Sequence, residues 1–223
     1  MVTITTPAVS NIWTVADMLE QLGNVPANRV LLVPAPGTAT EQDLLDLLDH
    51  QDRICELVDG VLVEKTMGYL ESILAIFISR KIGDFVESHK SGIVLGEAGT
   101  LRILPRQVRI PDVSFISWEK FPGGKLPKVQ IPSVAPDLAI EVLSPSNAEG
   151  EMRRKLNDYF AAGVSLVWYI DPGKKNARIY TSPDQCTVLD ETQSLSGGAV
   201  LPGFELALRD LFVEVEGRLD ESQ

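Results

Sequence analysis

Apolar residues recur along this chain with two different periods, and each change of period marks an element. Thr14-Val-Ala-Asp17 has the hydroxyl-then-acid spacing of a helix start; it predicts a short helix to about Leu22, ended by Gly23. Arg29–Val33 reads as a strand, and Pro34-Ala-Pro-Gly37 breaks the chain behind it. Thr40-Glu-Gln-Asp43 repeats the capping pattern and opens an amphipathic helix with Leu44, Leu45, Leu47 and Leu48 on or near one face. The period then falls to two. Cys55–Val58 and Val61–Lys65 are strand-like runs joined by Asp59-Gly60, a strong hairpin signal. Between Tyr69 and Ser88, Leu70, Ile73, Leu74, Phe77, Ile78 and Ile82 return to helical spacing. Strands follow at Ile93–Leu95, Thr100–Leu104, Val108–Ser117 and Leu138–Leu143. A helix over Ala148–Ala162 ends at Gly163. Val164–Ile170 and Ala177–Thr181 pair across the Asp171-Pro-Gly-Lys turn, and the weak alternation of Cys186–Val215 predicts short strands. Strands grouped between helices predict an α/β (α+β) fold, a mixed sheet flanked by helices. Residues 1–39 form an N-terminal helical extension, 40–215 the main domain and 216–223 an acidic tail.

Two positions violate the pattern that defines them. On the strand Arg109-Ile-Pro-Asp112-Val-Ser-Phe-Ile116, Asp112 points the same way as Ile110, Ser114 and Ile116. On Pro136-Asp-Leu-Ala-Ile-Glu141-Val-Leu, Glu141 shares a face with Ala139 and Leu143. A carboxylate among apolar neighbours needs a partner, and two carboxylates on adjacent strands repel, raising at least one pKa. A divalent cation between them removes that penalty, and Mg²⁺ (or Mn²⁺) suits a carboxylate-and-water shell. Asp137 stands four residues from Glu141, ~13 Å along a strand at ~3.3 Å per residue; that is too far for one ion, so it reads as a strand-start residue. On the next helix the apolar stripe is Met152, Leu156, Tyr159 and Phe160. Lys155 lies on its flank, where it can pack its stem on the sheet and aim its ammonium at the acids. Arg153 and Arg154 point away. The Ser146 hydroxyl is placed to cap this helix.

Composition narrows the chemistry. Net charge is 20 − 31 = −11, which argues against indiscriminate nucleic-acid binding. Locally the sign reverses: Gly99–Gln130 carries Arg102, Arg106, Arg109, Lys120, Lys125 and Lys128 against Asp112 and Glu119, which on its own reads as a solvated loop face and, if a duplex is the substrate, as the place for phosphate contacts. Cys55 and Cys186 are not in a Cys-x-x-Cys pair and read as reduced, buried thiols; His50 and His89 lack metal-ligand spacing. Any metal must then be held by oxygen. Apolar runs such as Ile73–Ile78 are far short of the ~20 residues of a bilayer span. The N-terminus lacks a secretory pattern, so the expectation is cytoplasmic, with no membrane partner. Gly123-Gly124 and Gly197-Gly198 lack nucleotide-loop spacing, Ser144-Pro-Ser146 has no histidine base, and Trp13, Trp118 and Trp168 read as core or interface residues.

Ile110-Pro-Asp112-Val, Pro136-Asp-Leu-Ala-Ile-Glu141-Val-Leu-Ser-Pro-Ser146, Lys155-x-x-x-Tyr159-x-x-x-Gly163-Val and Trp168-Tyr-Ile-Asp-Pro172, in that order, resemble the Uma-type restriction endonuclease family of the PD-(D/E)XK nuclease superfamily. Cys55-Glu-Leu-Val-Asp-Gly-Val-Leu-Val-Glu64 is similar to its opening strands, and the likeness runs from about Thr40 to Phe212. The resemblance implies a metal-dependent endonuclease acting on phosphodiester bonds, with DNA as the expected partner and a homodimer as a possible assembly. Asp112 and Glu141 would bind the metal. The superfamily lysine stands two residues after the acid, where this chain has Leu143; relatives of this type place it on the following helix, as Lys155 does. The superfamily often adds an acid from the first core helix, here Glu71. Tyr159 would support Lys155. Two other classes remain open: an inactive nuclease-fold scaffold, and a metal-dependent hydrolase of a small phosphorylated compound.

Overall fold

A computed structural model describes residues 14–50, 53–66 and 68–216; Trp13, residues 217–223 of the acidic tail and the His50 side chain lie outside it. The N-terminal extension carries helix α1 (Val15–Gln21), capped by the Thr14 hydroxyl, which accepts the Asp17 N–H at 3.1 Å. Helix α2 (Glu41–His50) follows. The expected strand at Arg29–Val33 is instead a single helical turn at Ala27–Arg29 and a lone bridge between Val30 and Val63. Strands β1 (Cys55–Val58) and β2 (Val61–Glu64) form the hairpin. Asp59 and Gly60 both take positive φ (51° and 81°), the turn geometry that matches the twist of paired strands.

Helix α3 (Tyr69–His89) buries Leu74, Phe77, Ile78, Ile82 and Val86 against the sheet. Next come β3 (Gly92–Leu95), β4 (Leu101–Leu104), β5 (Gln107–Arg109), β6 (Val113–Ser117) and β7 (Leu138–Val142). Then follow α4 (Glu149–Ala161), β8 (Leu166–Asp171), β9 (Asn176–Ser182), β10 (Gln185–Asp190), β11 (Ser194–Ser196), β12 (Glu205–Ala207) and α5 (Leu208–Glu216). The run Val108–Ser117, expected as one strand, is two. Pro111 has no N–H to give a ladder, and the chain changes sheets there: β5 belongs to a four-stranded sheet ordered β2-β1-β5-β4, β6 to a six-stranded one ordered β10-β9-β8-β7-β6-β3. In the larger sheet only β7 and β8 are parallel, joined through α4. In the tail the expected short strands form as β10, β11 and β12, but the chain then closes in a helix that the alternation does not predict, α5, which packs Leu208, Leu211 and Phe212 into the core.

Alternation sorts the larger sheet into two faces. Val113, Phe115, Leu138, Ile140 and Trp168 join α3 and α5 in one cluster. Ile116, Ala139, Val167 and Tyr169 meet Met152, Leu156 and Tyr159 of α4 in another. The extension packs Met18, Leu22, Val25 and Val30 on Val58, Val61 and Val63 of the hairpin. Arg29 then reaches across to Glu151 of α4 through a buried, two-pronged ion pair at 2.8 and 2.9 Å. Both cysteines are free; Cys55 is buried as expected, whereas Cys186 is exposed on β10, the open edge strand. No helix among the described residues is long and apolar enough to cross a membrane.

Candidate metal centre

β6 and β7 are antiparallel, with Val113 opposite Ile140 and Ser114 opposite Ala139. One residue further along that register Asp112 falls across from Glu141; Glu141 faces α4, whereas the Asp112 side chain turns to the Val142 N–H and borders a cavity walled by α3. Both carboxylates are buried, each residue only 4% exposed. The break at Pro111 determines how Asp112 is held. Its side chain takes over a ladder bond: Oδ2 accepts the Val142 N–H at 2.6 Å. Oδ1 lies 2.8 Å from the Lys65 ammonium, which also donates to the Ile110 carbonyl at 2.6 Å. Glu141 receives Lys155 at 3.0 Å and the Tyr159 hydroxyl.

Lys155 is shared. Its ammonium is also 3.0 Å from Glu56 Oε1 on β1. Glu56 in turn accepts the Ile110 N–H at 2.9 Å and the Arg109 guanidinium at 2.8 Å, and Arg109 continues to Asp158 of α4. Asp158, Arg109, Glu56, Lys155 and Glu141 form one largely buried chain of three carboxylates and two cations, and the Lys65–Asp112 pair lies beside it, so the group holds one acid in excess. The imbalance falls on Glu141. Burial first, then repulsion from Asp112 and Glu56, push its carboxyl up to about 7 against the pull of Lys155 and Lys65. Glu56 goes the other way: Lys155 and Arg109 outweigh its burial and hold it down at about 2. Lys155, though buried, has its pKa raised by Glu141 and Glu56 and stays an ammonium. Burial and Glu141 raise Tyr159 well above the usual phenol range.

Glu141, Lys155 and Tyr159 thus touch, and Asp112 stands close enough to repel Glu141 while bonded to Lys65 and the Val142 N–H instead. Glu71 does not join them. Its carboxylate folds back over Gly68 at the start of α3, where a Cβ would sit 2.0 Å from Oε2 and push the Glu71 side chain aside. Glu71 lines a separate cavity of 760 Å³ with Leu143, Ser144, Asn147, Tyr169 and Asp171. Asp112 instead borders a 330 Å³ cavity whose walls include Ile76, Ser79 and Arg80 of α3 and Glu97.

The basic segment is largely engaged elsewhere. Arg109, expected at phosphate, is buried in the ion-pair chain, because it is the countercharge that Glu56 and Asp158 require. Arg102 is clamped on Glu41, Arg106 donates to the Gly37 and Asp59 carbonyls, and Lys120 binds Asp137 and the Ala135 carbonyl. Lys125 and Lys128 are exposed. Asp137 also accepts the Ser117 N–H, a strand-start role. Arg153 and Arg154 face away, toward Asp184 and Asp59. Ser146 does not cap α4; its hydroxyl bonds Ser144 and Thr66, and the helix begins after Ala148. Sequence reasoning missed Glu56, Lys65 and Asp158. Glu56 carried the same warning as Glu141, a charge inside the apolar strand Cys55-Glu-Leu-Val, but Lys65 follows its strand with nothing to mark it.

Among the described residues no three His, Cys, Asp or Glu side chains converge as a closed metal site would require. The donor set fits a hard, largely hydrated ion instead: two carboxylates on neighbouring strands, in a group of charges with one acid in excess. The fold is similar to the crystal structure of a putative nuclease belonging to DUF820 from Anabaena variabilis ATCC 29413, with a TM-score of 0.67 and 21% identity, covering 77% of this chain and 98% of that one. A comparison with curated proteins finds no match. A family model described as "Uma2: Putative restriction endonuclease" matches residues 41–209, a span holding the whole ion-pair chain, and the protein belongs to that family.

Proposed function

We propose that this protein hydrolyses phosphodiester bonds, in DNA before other substrates, with Mg²⁺ or Mn²⁺ held by Asp112 and Glu141. The observation that carries the reading is the cross-strand pair of buried carboxylates with its surplus negative charge, in a chain whose family is described as restriction endonuclease. The bound ion would supply Lewis acidity to a phosphate oxygen and to a water. The chain's own groups do the rest. Asp112 is fixed by the Val142 N–H, so its remaining oxygen is aimed rather than free to rotate. Glu141 and Glu56 raise the pKa of Lys155, which suits it to offset charge on a phosphoryl group. Tyr159 orients Glu141 by donating its hydroxyl. Glu71, which lines a separate cavity, is left out of this arrangement. With Arg109 buried, phosphate contact passes to Lys125, Lys128 and Arg80, the last lining the cavity at Asp112.

Plasmid, single strands and mononucleotides incubated with Mg²⁺, Mn²⁺ or EDTA test this. Metal-dependent cleavage of a polymer, lost in Asp112→Ala, is the expected result; hydrolysis of mononucleotides alone would move the protein to small phosphorylated substrates. One observation favours a scaffold instead: both oxygens of Asp112 and of Glu141 already have protein partners, and the net charge is −11. Calorimetry separates the two readings, since a scaffold takes up no Mg²⁺ or Mn²⁺.

A further inference from the structure

We propose that Lys65 is a tethered cation that holds Asp112 when no metal is bound and competes with the divalent ion for it. The proposal rests on reading Asp112 as a metal ligand. Of the two Asp112 oxygens, Oδ2 accepts the Val142 N–H at 2.6 Å, and Oδ1, the one an incoming ion reaches without crowding that bond, is the atom Lys65 holds at 2.8 Å. An ammonium and a divalent ion cannot share that oxygen at close range, because their repulsion in a buried site is not screened by water. One of them leaves.

The two lysines of the cluster differ in how readily they can do so. Lys155 lies between Glu56 and Glu141, 3.0 Å from each, so losing one carboxylate still leaves the other. Among the described residues Lys65 pairs directly with one carboxylate, Asp112, and acts on Glu56 and Glu141 only at longer range; its other contact is the neutral Ile110 carbonyl. Its backbone is fixed at the end of β2, where its N–H bonds the Ile54 carbonyl at 2.8 Å, while the four-carbon stem can swing without moving the strand. Lys65 thus keeps Asp112 compensated in the metal-free protein and sets a threshold that the ion must exceed. The displaced ammonium remains on its tether within reach of whatever anion the metal recruits.

Mn²⁺ titrations followed by calorimetry and by loss of the free-ion EPR signal test the idea on four proteins: wild type, Lys65→Met, Lys65→Gln and Asp112→Asn. They are run at pH 8 to limit proton competition, after circular dichroism confirms that each is folded. Lys65→Met, which keeps the stem and removes the charge, should bind Mn²⁺ more tightly by about tenfold or more, given what a buried ion pair costs to break. Lys65→Gln, which can still donate to the Ile110 carbonyl, should follow it. Equal or weaker affinity in both folded Lys65 variants, with wild type binding normally, overturns the competition and leaves the metal site standing. Absence of Mn²⁺ binding in every protein, or undiminished binding in Asp112→Asn, overturns the metal assignment and the competition together.

Discussion

Glu56 and Glu141 share one lysine yet titrate in opposite directions, and the sum has a sign that can be measured. Glu56, held at about 2 by Lys155 and Arg109, contributes stability that is present above 4.5, its unfolded value, and is lost as pH falls toward 2. Glu141, pushed up to about 7, binds its proton more tightly folded than unfolded. Its contribution is whole below 4.5 and lost as pH rises from 4.5 to 7. In EDTA the metal-free protein should therefore lose stability across that upper window. Glu141→Gln should flatten the loss, by up to about 3 kcal/mol at 1.36 kcal/mol per pKa unit. Denaturant unfolding at pH 4.5, 5.5 and 7.5 checks this; an equally steep loss in the variant would assign the effect to another group. At neutral pH, Lys155→Met should be more harmful than Glu141→Gln, since it leaves Glu56 and Glu141 without their shared cation. Breaking such a buried pair costs about 3–5 kcal/mol, readable as a lowered denaturation midpoint.

The elements differ in how plainly the chain announces them. The Asp59-Gly60 hairpin and the helix at Tyr69–His89 were legible because each rests on a strong local rule, a positive-φ turn pair and a long 3.6-residue period. Asp112 and Glu141 were legible because a charge inside an apolar strand is its own warning. The division at Pro111 was not. Val108–Ser117 keeps its alternation across the proline, and only the assembled fold shows that its halves serve two sheets. Lys65 and Asp158 were invisible for a related reason: they lie in unremarkable sequence and are made important by strands and a helix far away in the chain. Helix α5 was hidden because Leu208, Leu211 and Phe212 span barely one turn behind a short strand. Its place is testable. Leu211 is fully buried in the cluster with α3, so Leu211→Ala should cost about 2–5 kcal/mol. A loss under about 1 kcal/mol, the level of a surface change, would mean that α5 is dispensable.

At the scale of the whole molecule, the two sheets meet at the buried charges. Asp112 and Glu141 sit on the larger sheet, Glu56 and Arg109 on the smaller, and Lys155 and Asp158 on the helix between them. Polar groups thus reinforce a junction that Leu101 and Ile103 of the smaller sheet also make through apolar contact with the larger sheet and α4, and they fix the spacing of the acids more strictly than apolar packing would. The N-terminal extension uses the same device one step outward. Arg29 donates to the Glu64 carbonyl, next to Lys65, and grips Glu151 in the first turn of α4, one helical turn before Lys155. The extension is therefore a brace for the two elements that deliver the lysines. Arg29→Met should strand the buried Glu151 carboxylate and lower stability by about 3–5 kcal/mol, while the double change with Glu151→Leu should recover much of it. The brace itself is read by metal affinity. If it holds β2 and α4 in place, the singly changed protein should bind Mn²⁺ more weakly under conditions where it remains folded; unchanged affinity would reduce Arg29 to a structural anchor without influence on the centre.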